Sequence, residues 1–168
     1  MNFYCYKSNL FLFTTLLLIG FVFQSCNDDD YYEPDLSTVP EARDTTGVEK
    51  VVHENGMVVY IHQEGEGSFT VSDRDQVLVR YTGRLTDGGI FDSSWIDDRT
   101  TPREFDLQTT IKGFLLGMEG MKEGGIRTLV IPPSIGYGAQ PPRGSFGFVQ
   151  IPPDATLIFE IELVAIRD

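Results

Sequence analysis

The chain has 168 residues, among them 12 Phe, 7 Tyr and 1 Trp, enough length and aromatic content for one domain with a core rather than a disordered chain. Its formal charge of −12 and pI near 4.4, with no basic run, argue against binding nucleic acid or an anionic membrane surface; solubility is the simpler meaning of the acidity. The two cysteines, Cys5 and Cys26, lie outside the region that reads as folded, which leaves a structural disulfide or a cysteine metal site without support.

The N-terminus reads as an address. Leu10 to Phe23 is apolar apart from Thr14, Thr15 and Gly20. It is shorter than the roughly 20 residues a membrane-spanning helix needs, and it lies where the apolar region of a secretory signal peptide would lie. Phe23-Gln24-Ser25-Cys26 resembles, loosely, the lipobox of bacterial lipoproteins. That resemblance implies cleavage after residue 25, a lipid on Cys26, and attachment to a membrane of the cell envelope through that lipid alone, on its periplasmic or its outer side. The following Asn27, Asp28, Asp29 and Asp30 fit either a surface-export signal or a solvated linker. Residues 26–48 are rich in Pro, Asp, Glu, Ser and Thr without period, and are expected to be an acidic flexible tether. The folded domain is expected over 49–168.

Within it, Met57 to His62 is a β-rich run and Gln63 to Gly67 a turn. Gln76 to Leu85 alternates, with Val77, Val79, Tyr81 and Leu85 on one face, the period of a half-buried strand. Asp87-Gly88-Gly89 breaks it as a turn. Ile90 to Ser94 follows, extended, with Phe91 beside Asp92: an acid next to a large ring is a rim residue or a polar group held at the wall of an apolar pocket. Residues 95–102 read as an irregular loop and Glu104 to Leu107 as a further strand. Ile111, Phe114, Leu115 and Met118 recur at helical spacing, which predicts one short helix over about 114–120. Ile126 to Ile131 is a strand stopped by Pro132-Pro133. Leu157 to Ile166 is the longest, with Leu157, Phe159, Ile161, Leu163 and Ala165 on one face and Glu160 and Glu162 on the other. One short helix covers a sheet's face only if the sheet curls around it. The expected fold is therefore α+β, a strongly twisted antiparallel sheet of about five strands wrapped on one helix, with an aromatic groove between them.

Familiar catalytic patterns are absent from the sequence. His53 and His62 have no third ligand at metal spacing, Asp97-Asp98 lacks the rest of an oxygen cage, and no phosphate loop, nucleophile elbow or serine or cysteine with a plausible base is present. No metal or cofactor is expected. What is left is an aromatic groove with few polar groups.

Three stretches in order, YTGRLTDGGIFDSS, GFLLGMEGMKEGGIRTLVIPPSIGYGA and IPPDATLIFEIEL, resemble the successive signatures of the FKBP family of peptidyl-prolyl cis–trans isomerases, from about Gly56 to Ile166. The resemblance implies the same wrapped-sheet fold and an aromatic proline pocket. By motif, Asp92, Tyr137 and Phe91 would carry the chemistry, with Tyr81, Ile111, Phe114, Phe159 and Ile151 binding substrate. The Ile111 N–H and the Tyr137 hydroxyl would hold substrate carbonyls. Phe114 would be the floor, and Asp92 a carboxylate fixed by neighbours such as Tyr81. Two positions depart from the pattern: Phe114 stands where the family has an indole, and Arg103 where it has a phenylalanine. The loop Ala139 to Gln150 is also longer than usual. The partners implied are proline-containing polypeptides and inhibitors of the macrolide type, with the chain a monomer. Two readings stay open, an isomerase for secreted or envelope proteins and a weakly catalytic module that grips Pro-containing segments at the cell surface; a third, an adhesin using the 139–150 loop, has less behind it.

Overall fold

The structure, a computed structural model, describes residues 34–96, 101–143 and 148–167. Every described residue belongs to one compact unit within Tyr32–Asp168. The signal-type run, Cys26 and its acidic neighbours, residues 97–100 of the irregular loop and 144–147 of the long loop lie outside the described residues.

Alternating strands and one helix build the domain. In chain order they are β1 (Glu49–Val52), β2 (Val58–Gln63), β3 (Gln76–Leu85), β4 (Ile90–Ser93), β5 (Arg103–Asp106), α1 (Lys112–Met118), β6 (Ile126–Ile131) and β7 (Leu157–Arg167). All pair antiparallel in the order β1-β2-β6-β7-β3-β4, with β5 also on β3. This is the expected wrapped sheet with one short helix, though with seven strands among the described residues. The helix starts and ends two residues earlier than its apolar spacing predicts, because Ile111 is already its extended N-cap. Strand β1 had no signal in the sequence: all four of its residues are exposed, so it carries no alternation and is held by its edge pairing with β2.

Period decides the core. Leu157, Phe159, Ile161 and Leu163 of β7 and Val77, Val79 and Tyr81 of β3 are all buried towards the helix, as one face of each strand requires. The helix meets β6 through glycine. A Cβ on Gly113 would lie 2.3 Å from Ile131 Cγ2, and one on Gly117 2.3 Å from Leu129 Cδ1. These two glycines, one turn apart on one helix face, let the helix axis approach the sheet.

Strand β3 is the hub. Its one edge pairs along its whole length with β7, while its other edge serves β5 at Gln76–Val79 and β4 at Thr82–Arg84 in succession. The β3–β4 ladder passes from Gly83↔Asp92 to Arg84↔Ile90, so Phe91 is an extra residue in a bulge.

Residues 34–48 have neither strand nor helix, yet they are tied to the outer face of the sheet. The Thr38 hydroxyl donates to the Trp95 carbonyl at 3.1 Å, the Arg43 N–H donates to Glu160 at 2.6 Å, and the Arg84 guanidinium donates to the Pro40 carbonyl. Glu160 is buried, paired with the partly buried Arg84 3.1 Å away, on the strand face that alternation assigns to solvent. No helix among the described residues is long and apolar enough to cross a membrane.

Candidate functional site: an aromatic bowl with a pinned carboxylate

In a regular strand, neighbouring side chains point to opposite faces. Phe91 and Asp92 are neighbours, yet both line one cavity, because the bulge at Phe91 re-aims the chain between them. The Phe91 ring lies over Gly83 of β3, where a Cβ would come within 2.5 Å of Phe91 Cε2. The glycine of the Tyr-Thr-Gly run is thus the seat of the ring that follows the turn. Ser93 and Ser94 fasten the strand end to Tyr81. The Tyr81 N–H donates to Ser94 Oγ and the Ser94 N–H donates to the Tyr81 carbonyl, both at 2.9 Å, while the Ser93 hydroxyl reaches the same carbonyl at 3.3 Å.

The cavity has a volume of about 470 Å³, within the usual range for small-molecule sites. Its body is a run of aromatic rings in edge contact. Phe105 meets Phe114 with centroids 5.5 Å apart, Phe114 meets Phe159 at 5.4 Å, Phe159 meets Phe91 at 5.4 Å, and Tyr81 joins Phe105 at 5.3 Å. Such tilted and T-shaped pairs hold the rings in fixed orientation. Phe114, projecting from the first turn of α1, is buried; Ile111, Ile151 and Tyr137 complete the wall.

The polar groups are few and mostly committed. The Tyr81 hydroxyl donates to Asp92 Oδ2 at 2.6 Å. Arg103 stands 3.5 Å from Asp92 Oδ1, donates to the Tyr81 hydroxyl at 3.3 Å and to the Ser93 carbonyl at 3.2 Å, and lies over the Tyr81 ring. The register explains this cluster. Arg103 pairs with Val79 and Asp92 with Gly83, on the same edge of β3, with Tyr81 midway between. Burial, then the Asp92 charge and hydrogen bond, push the Tyr81 phenol well above its ordinary range. Burial first and Asp92 second also raise Tyr137. Both stay neutral donors at physiological pH. Ile111 offers a further donor, since its N–H has no acceptor among the described residues while its carbonyl receives Phe114 and Leu115.

All eight pocket residues expected from the sequence, Tyr81, Phe91, Asp92, Ile111, Phe114, Tyr137, Ile151 and Phe159, come together in this one cavity. Five more line it: Phe105, Thr109, Thr110, Pro142 and Arg143. Arg103, expected where the family has a phenylalanine, does not itself line the cavity. Phe105, two residues on, fills the bowl, and Arg103 sits at the rim as the partner of Asp92. The signal was the alternation of β5, which sends Arg103 and Phe105 to the same face. A second cleft of about 440 Å³, lined by Glu66, Ser72, Asp75, Glu123 and the exposed Phe69, has no comparable aromatic body.

A curled antiparallel sheet on one helix, with an aromatic bowl between them and a carboxylate pinned beside it, defines an α+β domain with an aromatic pocket. Comparison with known proteins says which such domain it is. The family model of FKBP-type peptidyl-prolyl cis-trans isomerases matches residues 67–164. An FK506-binding protein of Neisseria meningitidis serogroup B is 44% identical over 115 residues, covering 67% of this chain and 98% of its own. The FKBP-type isomerase FkpA of Buchnera aphidicola is 40% identical over 113 residues, 67% of this chain and 41% of its own. The crystal structure of FkpA from Escherichia coli superposes with a TM-score of 0.60 at 36% identity, covering 70% of this chain and 51% of that one. The chain thus belongs to the FKBP-type peptidyl-prolyl cis-trans isomerase family, and it spans about two fifths of the length of the FkpA relative.

Proposed function

We propose that the chain is a peptidyl-prolyl cis–trans isomerase that assists folding of secreted or envelope proteins. The observation that carries this is the aromatic bowl closed by Phe114, with Asp92 held at its rim, in a chain of this family. An X–Pro amide isomerises over a barrier of about 20 kcal/mol and takes tens of seconds uncatalysed. Its twisted transition state has lost amide resonance, so its carbonyl is less polar than that of the planar amide. A bowl of aromatic rings that excludes water favours the twisted form over the hydrated planar one. In this reading Phe114 supports the proline ring, with Tyr81, Phe91, Phe159 and Ile151 around it. The Ile111 N–H and the Tyr137 hydroxyl hold flanking carbonyls. Asp92, its charge already shared with Tyr81 and Arg103, faces the twisting amide. None of these steps needs a nucleophile, a proton transfer or a metal.

The purified protein should accelerate isomerisation of an Ala-Pro peptide in a protease-coupled assay. A rate equal to buffer, with peptide binding retained, would leave the second reading: a module that grips Pro-containing segments. Phe114 in place of an indole favours that alternative. A macrolide of the FKBP-inhibitor type is expected to compete for the bowl, and the domain to act as a monomer without contact to nucleic acid.

For its location, the reading is a lipoprotein of the cell envelope, with residues 1–25 removed and a lipid on Cys26. The apolar run Leu10–Phe23 and the small residue before Cys26 support it. Mass spectrometry of the protein from cells should find a diacyl or triacyl group on Cys26; an intact N-terminus would refute it.

A further inference from the structure

The bowl's charge runs against that of the chain. The chain has 25 acidic and 13 basic side chains, but among the described residues the charged groups at the cavity are one carboxylate and two guanidiniums. Asp92 and Arg143 line it, and Arg103 reaches Asp92 from the rim. Two of the three are engaged with each other. Asp92 accepts from Tyr81 and faces Arg103, and Arg103 also serves the Tyr81 hydroxyl and the Ser93 carbonyl. Arg143 differs. It is exposed, it borders the same cavity, and among the described residues no carboxylate lies in ion-pair range of it. It follows Pro141-Pro142, whose rings restrict the backbone that carries it.

We propose that Arg143 determines specificity at the prolyl pocket, favouring Pro-containing segments with an aspartate or glutamate within about two residues of the proline, a span of ~7 Å in extended chain. The inference rests on the isomerase reading above. With the proline ring in the bowl, its neighbours leave through the mouth, where a carboxylate meets a guanidinium fork of matching geometry. The acidic surface as a whole attracts basic segments at long range. That field is screened beyond about 8 Å at physiological salt, whereas a charge pair in contact lies well within that length. For a bound segment, the local guanidinium decides.

The test uses the full-length chain and peptides with an Ala-Pro core flanked by Glu, Gln or Lys. Isomerisation is followed by NMR exchange, so that no coupling protease adds a preference of its own. The Glu peptide should have a kcat/KM about threefold above the Gln peptide, as suits an exposed pair, with the Lys peptide lowest. The ratio should shrink towards one at ~0.5 M salt. Arg143→Gln should bring the Glu-to-Gln ratio to about one, and Arg143→Glu should invert the order of Glu and Lys. Ratios are taken within each variant, so a general loss of activity does not imitate the effect. Equal turnover of all peptides by the unaltered protein, or a Glu preference that survives Arg143→Gln, overturns the inference and leaves the isomerase reading standing. No turnover of any peptide overturns both.

Discussion

Asp92 has two partners of unequal kind, a buried phenol at 2.6 Å and a half-exposed guanidinium at 3.5 Å. Removing the carboxylate leaves the Tyr81 hydroxyl without its acceptor, whereas Arg103 can turn to water. An unmet buried donor costs about 1–3 kcal/mol, so Asp92→Leu should lower stability by about 1–2 kcal/mol in urea melts, and kcat/KM by about tenfold or more. Tyr137→Phe should lower kcat/KM several-fold with almost no change in the melt. Unchanged rates in both variants would mean that the site is misassigned. The two phenols also set an alkaline limit. Below about pH 10 they are neutral in the folded and the unfolded chain alike and add no pH dependence. Above it, the unfolded chain ionises first, because the folded values are raised, and stability is lost as pH rises. Denaturation midpoints taken on either side of pH 10 should show that fall, and Tyr81→Phe should reduce it. At this scale the sequence was informative about residue type. The rings and the acid were each visible, but the Asp92–Arg103 pair was not, since it joins two strands that meet only along β3.

Strand β3 and helix α1 are shaped by glycines whose missing side chains other residues replace. On helix propensity alone, Gly117→Ala would gain about 1 kcal/mol. The new Cβ would sit 2.3 Å from Leu129 Cδ1 and 2.9 Å from its Cγ, and Leu129 is wholly buried. Overpacking of this kind costs about 1–3 kcal/mol or more, so the clash wins and the variant should be less stable in calorimetry. Gly83→Ala acts on the site instead. Its Cβ would displace the Phe91 ring towards the cavity, and kcat/KM should fall by more than the loss of stability accounts for. A variant with both values intact would refute the seating of Phe91 on Gly83. Alternation located β3 and β7 well, because each buries one whole face. The bulge that turns Phe91 and Asp92 together interrupts that period and depends on pairing with Arg84 and Gly83, so local pattern could not reveal it.

Across the whole molecule, the segment 34–48 is the part whose behaviour its composition describes least. It has the polar, proline-containing make-up of a tether, but it meets the Arg84–Glu160 pair on the outer face of the sheet through the Arg43 N–H and the Pro40 carbonyl, while Thr38 bonds the Trp95 carbonyl. A chain beginning at residue 49 should unfold at lower urea than one beginning at 32, by about 1–2 kcal/mol, the worth of a few hydrogen bonds and a half-shielded ion pair. Identical midpoints would show the contact to be incidental. By itself the sequence determined the wrapped-sheet class, the long strands, the single helix and the eight residues of the bowl. The first three follow from local period and from glycine and proline punctuation, the bowl residues from the resemblance of three ordered motifs to the FKBP family. Only the tertiary structure decided which elements lie side by side: β4 and β5 sharing one edge of β3, Arg103 reaching Asp92, Phe105 entering the bowl, and residues 34–48 lying over Glu160. The longest of these contacts joins residues 117 positions apart, and period carries no information about a partner that distant.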